Sequence, residues 1–332
     1  MFPVSPNYGS GCPCFPTPCA QAVLGSTSTP VPCPALPACV PPGVLPLSRR
    51  PPAWGRAARQ PPGLPLALAR AFSNNKILVE LDESSGVATM KFKSPPVNSL
   101  SLDFLTEFCI SLEKLENNRA CRGVILTSAI PKIFSSGLDI TEMCGKSTEH
   151  YAEFWRAVQE MWLRVYGCNM VMIAAVNGSS PAGGCLIALS CDYRIMVDNP
   201  KFSIGLNETQ LGIVAPFWFK DTFVNVVGQR IAERSLQLGA LHPAPEALKL
   251  GVVDELVPEE KLQERAAAVM AQWLALPDHA RQITKSMMRK TVLDRLISHR
   301  EEDIQHFISF TSKESIQKSL RMYMEMLRKK SG

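Results

Sequence analysis

Acidic residues are missing from the first 72 positions of this 332-residue chain, and charge of either sign is missing from the first 48. A segment so poor in charge, holding most of the 27 prolines, excludes a packed core of its own. Nowhere does an uncharged apolar run approach the roughly 18 residues that a membrane-spanning helix needs. The longest candidates, such as VMIAAV at 171–176, read as buried strands. Metal-binding patterns are also lacking: Cys109, Cys121, Cys144, Cys168, Cys185 and Cys191 form no CxxC pair, and no His stands at zinc-finger spacing. These six read as free, mostly buried thiols in a reducing compartment, and no metal site is expected.

The charge that the N-terminal region does carry is positive. Arg49, Arg50, Arg56, Arg59 and Arg70 account for the whole formal net charge of +5, leaving the remainder near zero, so the basicity is no argument for a nucleic-acid partner. An Arg-containing, acid-free segment ending in LPLALARAFSNN, with Arg70 shortly before Ser73, resembles a mitochondrial presequence processed near residue 72. Residues 1–48, uncharged and Pro-rich, fit a disordered extension better than the start of a presequence. Beyond them the chain has the balance of a globular protein, 46% hydrophobic and 20% charged overall. The expected organisation is a presequence and Pro-rich extension over 1–72, a core over 73–258 and a helical region over 259–332.

Within the core, KILVELDES (76–84) and GVATMKFKS (86–94) read as a hairpin, with β-branched residues, partial alternation and a tight polar turn. Leu102, Leu105, Phe108, Leu112 and Leu115 recur at helical spacing in 101–117. A strand at 123–129, a loop containing FSSGLDI, a helix over 148–167 and a strand beginning at Val171 follow. Strands alternating with helices argue for an α/β fold. Past about residue 230 the strand signals fade, and 259–276, 279–296 and 312–329 read as helices.

Three stretches combine glycine or a carboxylate with a change from strand to loop or helix: FSSGLDI (134–140), SSPAGGCLIALSCDYRI (179–195) and IGLNETQLG (204–212). Glycine at a tight turn lets backbone N–H groups point into open space, and two such groups form an oxyanion hole. Each glycine alone reads as a plain turn. PAGGC has neither the GxGxxG spacing of a dinucleotide site nor the GK[ST] ending of a P-loop. Glu208 alone would read as an exposed loop acid.

Taken together, PPVNSLSLDFLTE, SGLDITEMCG, PAGGC with LSCDYRI, and GLNETQLGIVAPFW resemble the crotonase, or enoyl-CoA hydratase/isomerase, superfamily over about residues 76–332. That resemblance implies a crotonase-like spiral of ββα repeats with a C-terminal helical association region. It assigns the oxyanion-hole donors to the N–H groups of Leu138 and Gly183, holding the thioester carbonyl of an acyl-CoA. Gly183 would stand at the mouth of a helix beginning near Gly184, whose positive end favours a developing enolate. Ser136, Gly137, Leu138, Asp139, Ile140, Gly183 and Asn207 are carried over as substrate contacts. Ser136 stands where Ala is expected. Asp139 reads equally as a cap of the following helix, and Asn207 as a turn former.

Hydratases of that superfamily are expected to carry a glutamate directly after Gly-Gly-Cys and a second in the later loop, the pair activating water. Here the first position is Leu186 and only Glu208 remains. The resemblance therefore implies an isomerase of fatty-acid β-oxidation, converting cis- or trans-3-enoyl-CoA to trans-2-enoyl-CoA, with Glu208 carrying a proton from C2 to C4. Leu206, Ile213, Phe217 and Trp218 give Glu208 an apolar setting that would raise its pKa. Phe217 and Trp218 read either as a wall of the acyl pocket or as simple core.

No cofactor is implied, coenzyme A being part of the substrate. A homotrimer, the mitochondrial matrix, no nucleic-acid partner and no membrane span are expected. The C-terminal RKKSG is not a peroxisomal ending. The competing readings are an enoyl-CoA hydratase on the same fold, or a noncatalytic CoA- or RNA-binding scaffold. Basic residues in MMRKTVLDRLISHR (287–300) raise the RNA case, but Asp294, Glu301, Glu302 and Asp303 interrupt the patch. His150, His279 and His299 have no Ser or Cys partner arrangement and read as surface or helix-face residues.

Overall fold

The computed structural model describes residues 72–73 and 75–331. The presequence and extension expected over 1–72 lie, apart from Phe72, outside the described residues. Strand β1 (Phe72–Ser73) pairs antiparallel with β2 (Ile77–Asp82), which pairs antiparallel with β3 (Val87–Phe92). Asp82 closes the hairpin turn: its carboxylate accepts the Ser84 N–H and the hydroxyls of Ser84 and Ser85. A short acid bonding to the backbone two residues ahead is what makes this polar stretch turn.

From β3 onward the chain repeats one unit: a long strand, one or two short strands outside the main sheet, then a helix. The first turn continues through β4 (Ser99–Leu100) into α1 (Leu102–Glu116), which starts where the Ser101 hydroxyl accepts the Phe104 N–H at 3.3 Å. The second runs β5 (Gly123–Ser128), β6 (Lys132–Ile133), β7 (Gly137–Leu138) and α2 (Thr148–Gly167), capped by Ser147. The third is β8 (Val171–Val176), β9 (Gly178–Pro181) and α3 (Gly183–Ser190). The fourth is β10 (Tyr193–Val197), β11 (Ser203–Gly205) and α4 (Phe217–Val227). Next come α5 (Gln229–Leu238), β12 (His242–Pro243), α6 (Ala244–Leu250) and β13 (Glu255–Val257).

The long strands lie side by side in the order β1-β2-β3-β5-β8-β10-β13, parallel from β3 onward. A second sheet collects the short strands as β12-β11-β9-β6. This is the spiral of ββα turns that the resemblance implied. All six residues of β8 are buried, as a strand inside a sheet covered on both faces must be. The second sheet is drawn so tight that a Cβ on Gly178 would stand 1.9 Å from the Lys132 carbonyl carbon, so β9 can lie against β6 only because position 178 has no side chain.

Four helices complete the chain: α7 (Leu262–Leu274), α8 (Asp278–Ser298), α9 (Arg300–Thr311) and α10 (Glu314–Ser331). Helix α7 packs on β5, β8 and β10, and α9 packs on α2. Helix α9 has no counterpart among the helices read from the sequence. Its apolar signal, Ile304, Phe307, Ile308 and the half-apolar Thr311, is at helical spacing but spans only about two turns. The six cysteines beyond residue 72 are free, with Cys121, Cys168, Cys185 and Cys191 buried. Burial pushes the Cys168 and Cys191 thiols up to about 12, so neither ionises near neutrality.

Candidate active site

Two backbone segments from successive turns of the spiral meet at the start of α3. Strand β7 pairs in parallel with β4, and the Asp139 N–H is donated to the Leu100 carbonyl at 3.3 Å. Successive N–H groups of an extended strand point to opposite sides, so the Leu138 N–H is directed away from β4. That is the side on which α3 begins. Gly183 is the first residue of α3, where an N–H has no acceptor within its own helix. A Cβ on Gly183 would stand 3.2 Å from the Leu138 nitrogen, and one on Gly137 would stand 3.0 Å from the Gly183 nitrogen. The two donors are therefore neighbours.

Local backbone strain sets their direction. Gly137 has φ +89°, a region that disfavours a side chain, and its N–H is held by the Ser135 hydroxyl at 3.1 Å. Ala182, just before α3, has φ +50° and ψ −122°, which costs a non-glycine residue about 1–3 kcal/mol. The conformation is held by the Ala182 N–H donating to the Gly205 carbonyl at 2.8 Å and the Leu186 N–H donating to the Ala182 carbonyl at 3.0 Å. The ψ of Ala182 fixes the plane of the next peptide, and so the aim of the Gly183 N–H. Gly184 is confined as well: a Cβ there would meet the Ser135 carbonyl oxygen at 2.7 Å.

A cavity of about 390 Å³ has Leu138 and Glu208 on its wall, with Ile213 and Phe217 beside them and Phe307 and Phe310 from α9 opposite in sequence origin. Glu208 opens a short 3-10 turn, Glu208–Leu211, and only 7% of it is exposed. Its Oε2 is buried without a hydrogen-bond partner. Burial raises the carboxyl from 4.5 to about 7, partly offset by its own backbone N–H. A carboxylate shielded from water and half ionised near neutrality can take up a proton and give it back.

Asp303 of α9 lines the same cavity, but its carboxyl oxygen is richly hydrogen-bonded. Its Oδ2 accepts from Trp155 Nε1 at 2.7 Å, Gln159 Nε2 at 2.8 Å and Trp218 Nε1 at 3.2 Å. Those bonds fix the carboxyl group and orient the two indoles. Sequence reasoning takes Asp303 only as one of the acids interrupting a basic patch and gives the cavity no α9 wall; the structure buries Asp303 at 8% exposure. Of the aromatic pair, Phe217 lines the cavity, whereas Trp218, like Leu206, is buried in the core and does not.

The other candidate residues flank this centre on the backbone and do not line the cavity. Ser136 pairs its hydroxyl with that of Ser99 at 3.1 Å. Asp139 caps the 3-10 turn Ile140–Glu142, accepting the Thr141 N–H at 2.9 Å, and Ile140 packs on the core. Asn207 is 9% exposed with its Oδ1 unpartnered, next to Glu208. Leu186 is fully buried in the core. His150 bonds Glu142 at 2.6 Å, while His279 and His299 are exposed.

The backbone nitrogens of Leu138 and Gly183 thus lie close together where Leu138 meets an apolar cavity, and the same cavity wall carries an acid with an unpartnered oxygen. The description enoyl-CoA hydratase/isomerase matches residues 82–331, and the chain belongs to that family. Among curated relatives, the chain is 62% identical over 264 residues to human enoyl-CoA delta isomerase 1, mitochondrial, covering 80% of this chain and 87% of the relative. It is 63% identical to the rat protein of the same name, covering 80% and 91%. The crystal structure of human mitochondrial delta3-delta2-enoyl-CoA isomerase superposes with a TM-score of 0.77 at 63% identity, covering 77% of this chain and all of that one.

The raised pKa of Glu208 carries a stability consequence. The folded state holds the proton more tightly than the unfolded chain, so its stabilising contribution is complete below about pH 4.5 and is lost as pH rises to about 7. Glu208→Gln, neutral throughout, should therefore gain on the wild type by about 3 kcal/mol between pH 4.5 and 8. Urea unfolding of both proteins across that range checks this; a difference that does not change with pH would contradict it.

Proposed function

We propose that this protein is a Δ3,Δ2-enoyl-CoA isomerase of mitochondrial fatty-acid β-oxidation, acting on cis- or trans-3-enoyl-CoA to give the trans-2-enoyl thioester. The observation that carries the reading is the lone unpartnered carboxylate of Glu208, raised to about 7, in the cavity that also exposes Leu138. The thioester carbonyl sits between the N–H groups of Leu138 and Gly183. Glu208, as carboxylate, removes a proton from C2. Electrons move into a dienolate whose oxygen accepts both N–H groups, with the positive end of α3 behind Gly183. Protonated Glu208 then returns the proton to C4, leaving the double bond between C2 and C3. One proton moves, no oxidant or reductant is required, and the coenzyme A belongs to the substrate.

Water addition would need a second carboxylate to hold the nucleophile. The position where hydratases carry it is Leu186, and Leu186 is fully buried in the core. The mitochondrial matrix is the proposed compartment, supported by the mitochondrial names of the relatives and the acid-free, Arg-bearing segment before residue 73. A homotrimer is the proposed assembly. It is supported by apolar side chains left in solvent on α8, with Ile283 59%, Met287 73% and Met288 78% exposed, which association would cover. Sedimentation should give a trimer, and a stable monomer would refute it.

With 3-hexenoyl-CoA as substrate, Glu208→Gln should lose at least about a hundredfold in kcat with folding intact. The wild-type rate should climb with pH to a plateau above about 7, because the carboxylate is the active form. Water addition to crotonyl-CoA should be negligible beside isomerisation. An unaffected Glu208→Gln enzyme, or hydration faster than isomerisation, would sink this reading.

A further inference from the structure

One buried side chain fastens the last helix to the loop that carries the Leu138 donor. Gln317 of α10 is 7% exposed, and its amide is fully engaged. Oε1 accepts the Gly145 N–H at 2.9 Å. The two Nε2 hydrogens are shared among three acceptors, the Met143 carbonyl at 2.9 Å, the Thr311 carbonyl at 2.8 Å and Tyr151 Oη at 3.1 Å. Tyr151 Oη also accepts the Lys146 N–H at 3.2 Å, so a second side chain grips the same loop. An amide using both its atoms in this way has one orientation and holds its partners to it.

Met143 closes the 3-10 turn that begins two residues after Leu138, and its N–H is donated to the Ile140 carbonyl at 3.0 Å. With Asp139 capping that turn, little slack remains between Gln317 and the Leu138 N–H. The same helix also bears on the base. It packs against the Glu208–Leu211 turn, and Ile316 and Leu320, on either side of Gln317, line the cavity together with Leu138 and Glu208.

We propose that Gln317 is a positioning residue: by tying Met143 and Gly145 to α10, it sets the separation between the Leu138 donor and the Glu208 carboxylate. The proposal rests on the reading of those two groups as donor and base. An oxyanion donor works only when aimed within a few tenths of an ångström, and a misplacement of about 1 Å can cost about a hundredfold in rate. Side chains that merely pack would lower stability without this selective effect.

The test uses the full chain with Gln317→Met, which keeps the volume and removes every hydrogen bond, and Tyr151→Phe, which removes one partner of the clamp. Leu296→Ala, a core truncation in α8, serves as a stability control. Turnover of 3-hexenoyl-CoA is followed together with the carbonyl stretch of bound hexanoyl-CoA, a saturated thioester that cannot isomerise. Gln317→Met should lower kcat about 10- to 100-fold with KM within about threefold, and weaken the red shift of the bound carbonyl. Tyr151→Phe should move both in the same direction by less, and it carries the test if Gln317→Met does not fold. Leu296→Ala should lower Tm and leave kcat and the carbonyl unchanged. The proposal is overturned if hydrogen exchange shows residues 137–145 loosened in Gln317→Met while kcat and the carbonyl shift stay as in the wild type. It is equally overturned if the control loses rate in the same proportion. If the wild type turns over no 3-enoyl-CoA, the isomerase reading fails, and the carbonyl shift still decides the role of Gln317.

Discussion

Two peptide segments pressed together without side chains between them set the geometry of this protein's centre. Gly137 and Gly183 come from different turns of the spiral, and a Cβ on either would fall within 3.2 Å of the nitrogen of the opposing segment. For that approach to occur, β7 must pair with β4, α3 must begin at residue 183, and Ala182 must accept a conformation that an isolated chain would avoid. The strain at Ala182 is held by the Gly205 carbonyl from β11, in the next turn of the spiral. Four repeats thus cooperate to orient the two N–H groups. Adjacent glycines at 183 and 184 answer separate demands, one for the opposing donor and one for the Ser135 carbonyl.

Against this fixed pair of donors, the environment divides two carboxylates on one cavity wall. Asp303 receives three N–H donors and is held as structure, whereas Glu208 has an oxygen with no partner and is desolvated toward neutrality. The same wall thus holds one carboxyl oxygen saturated with donors and another with none. The burial of Glu208 raises its proton affinity.

The long elements were legible in the sequence because buried residues recur at a regular period in Ile77–Asp82, Leu102–Glu116 and Thr148–Gly167, and because Val171–Val176 is an unbroken apolar run; all four follow the stretches from which they were read. The short strands of the second sheet were not, since two to four residues hold no period. Helix α9 escaped notice although its signal was present. The glycine loops and Glu208 stood out as local motifs, and the resemblance supplied the roles proposed for them. Gln317 and Asp303 were invisible for a physical reason: Gln317 meets Met143 and Gly145 across 174 and 172 residues, and Asp303 meets Trp155 across 148. Nothing near them in the chain marks either as more than a helix-surface polar residue.

The central claim is that one sheltered carboxylate carries the proton from C2 to C4. It is tested most directly by turning over 3-hexenoyl-CoA deuterated at C2 and measuring, by mass spectrometry and NMR of the 2-enoyl product, how much of the label arrives at C4. A single base in a water-poor cavity predicts that a substantial fraction is transferred within the same molecule. Complete replacement of the label by solvent hydrogen at the first turnover, with none found at C4, would contradict it.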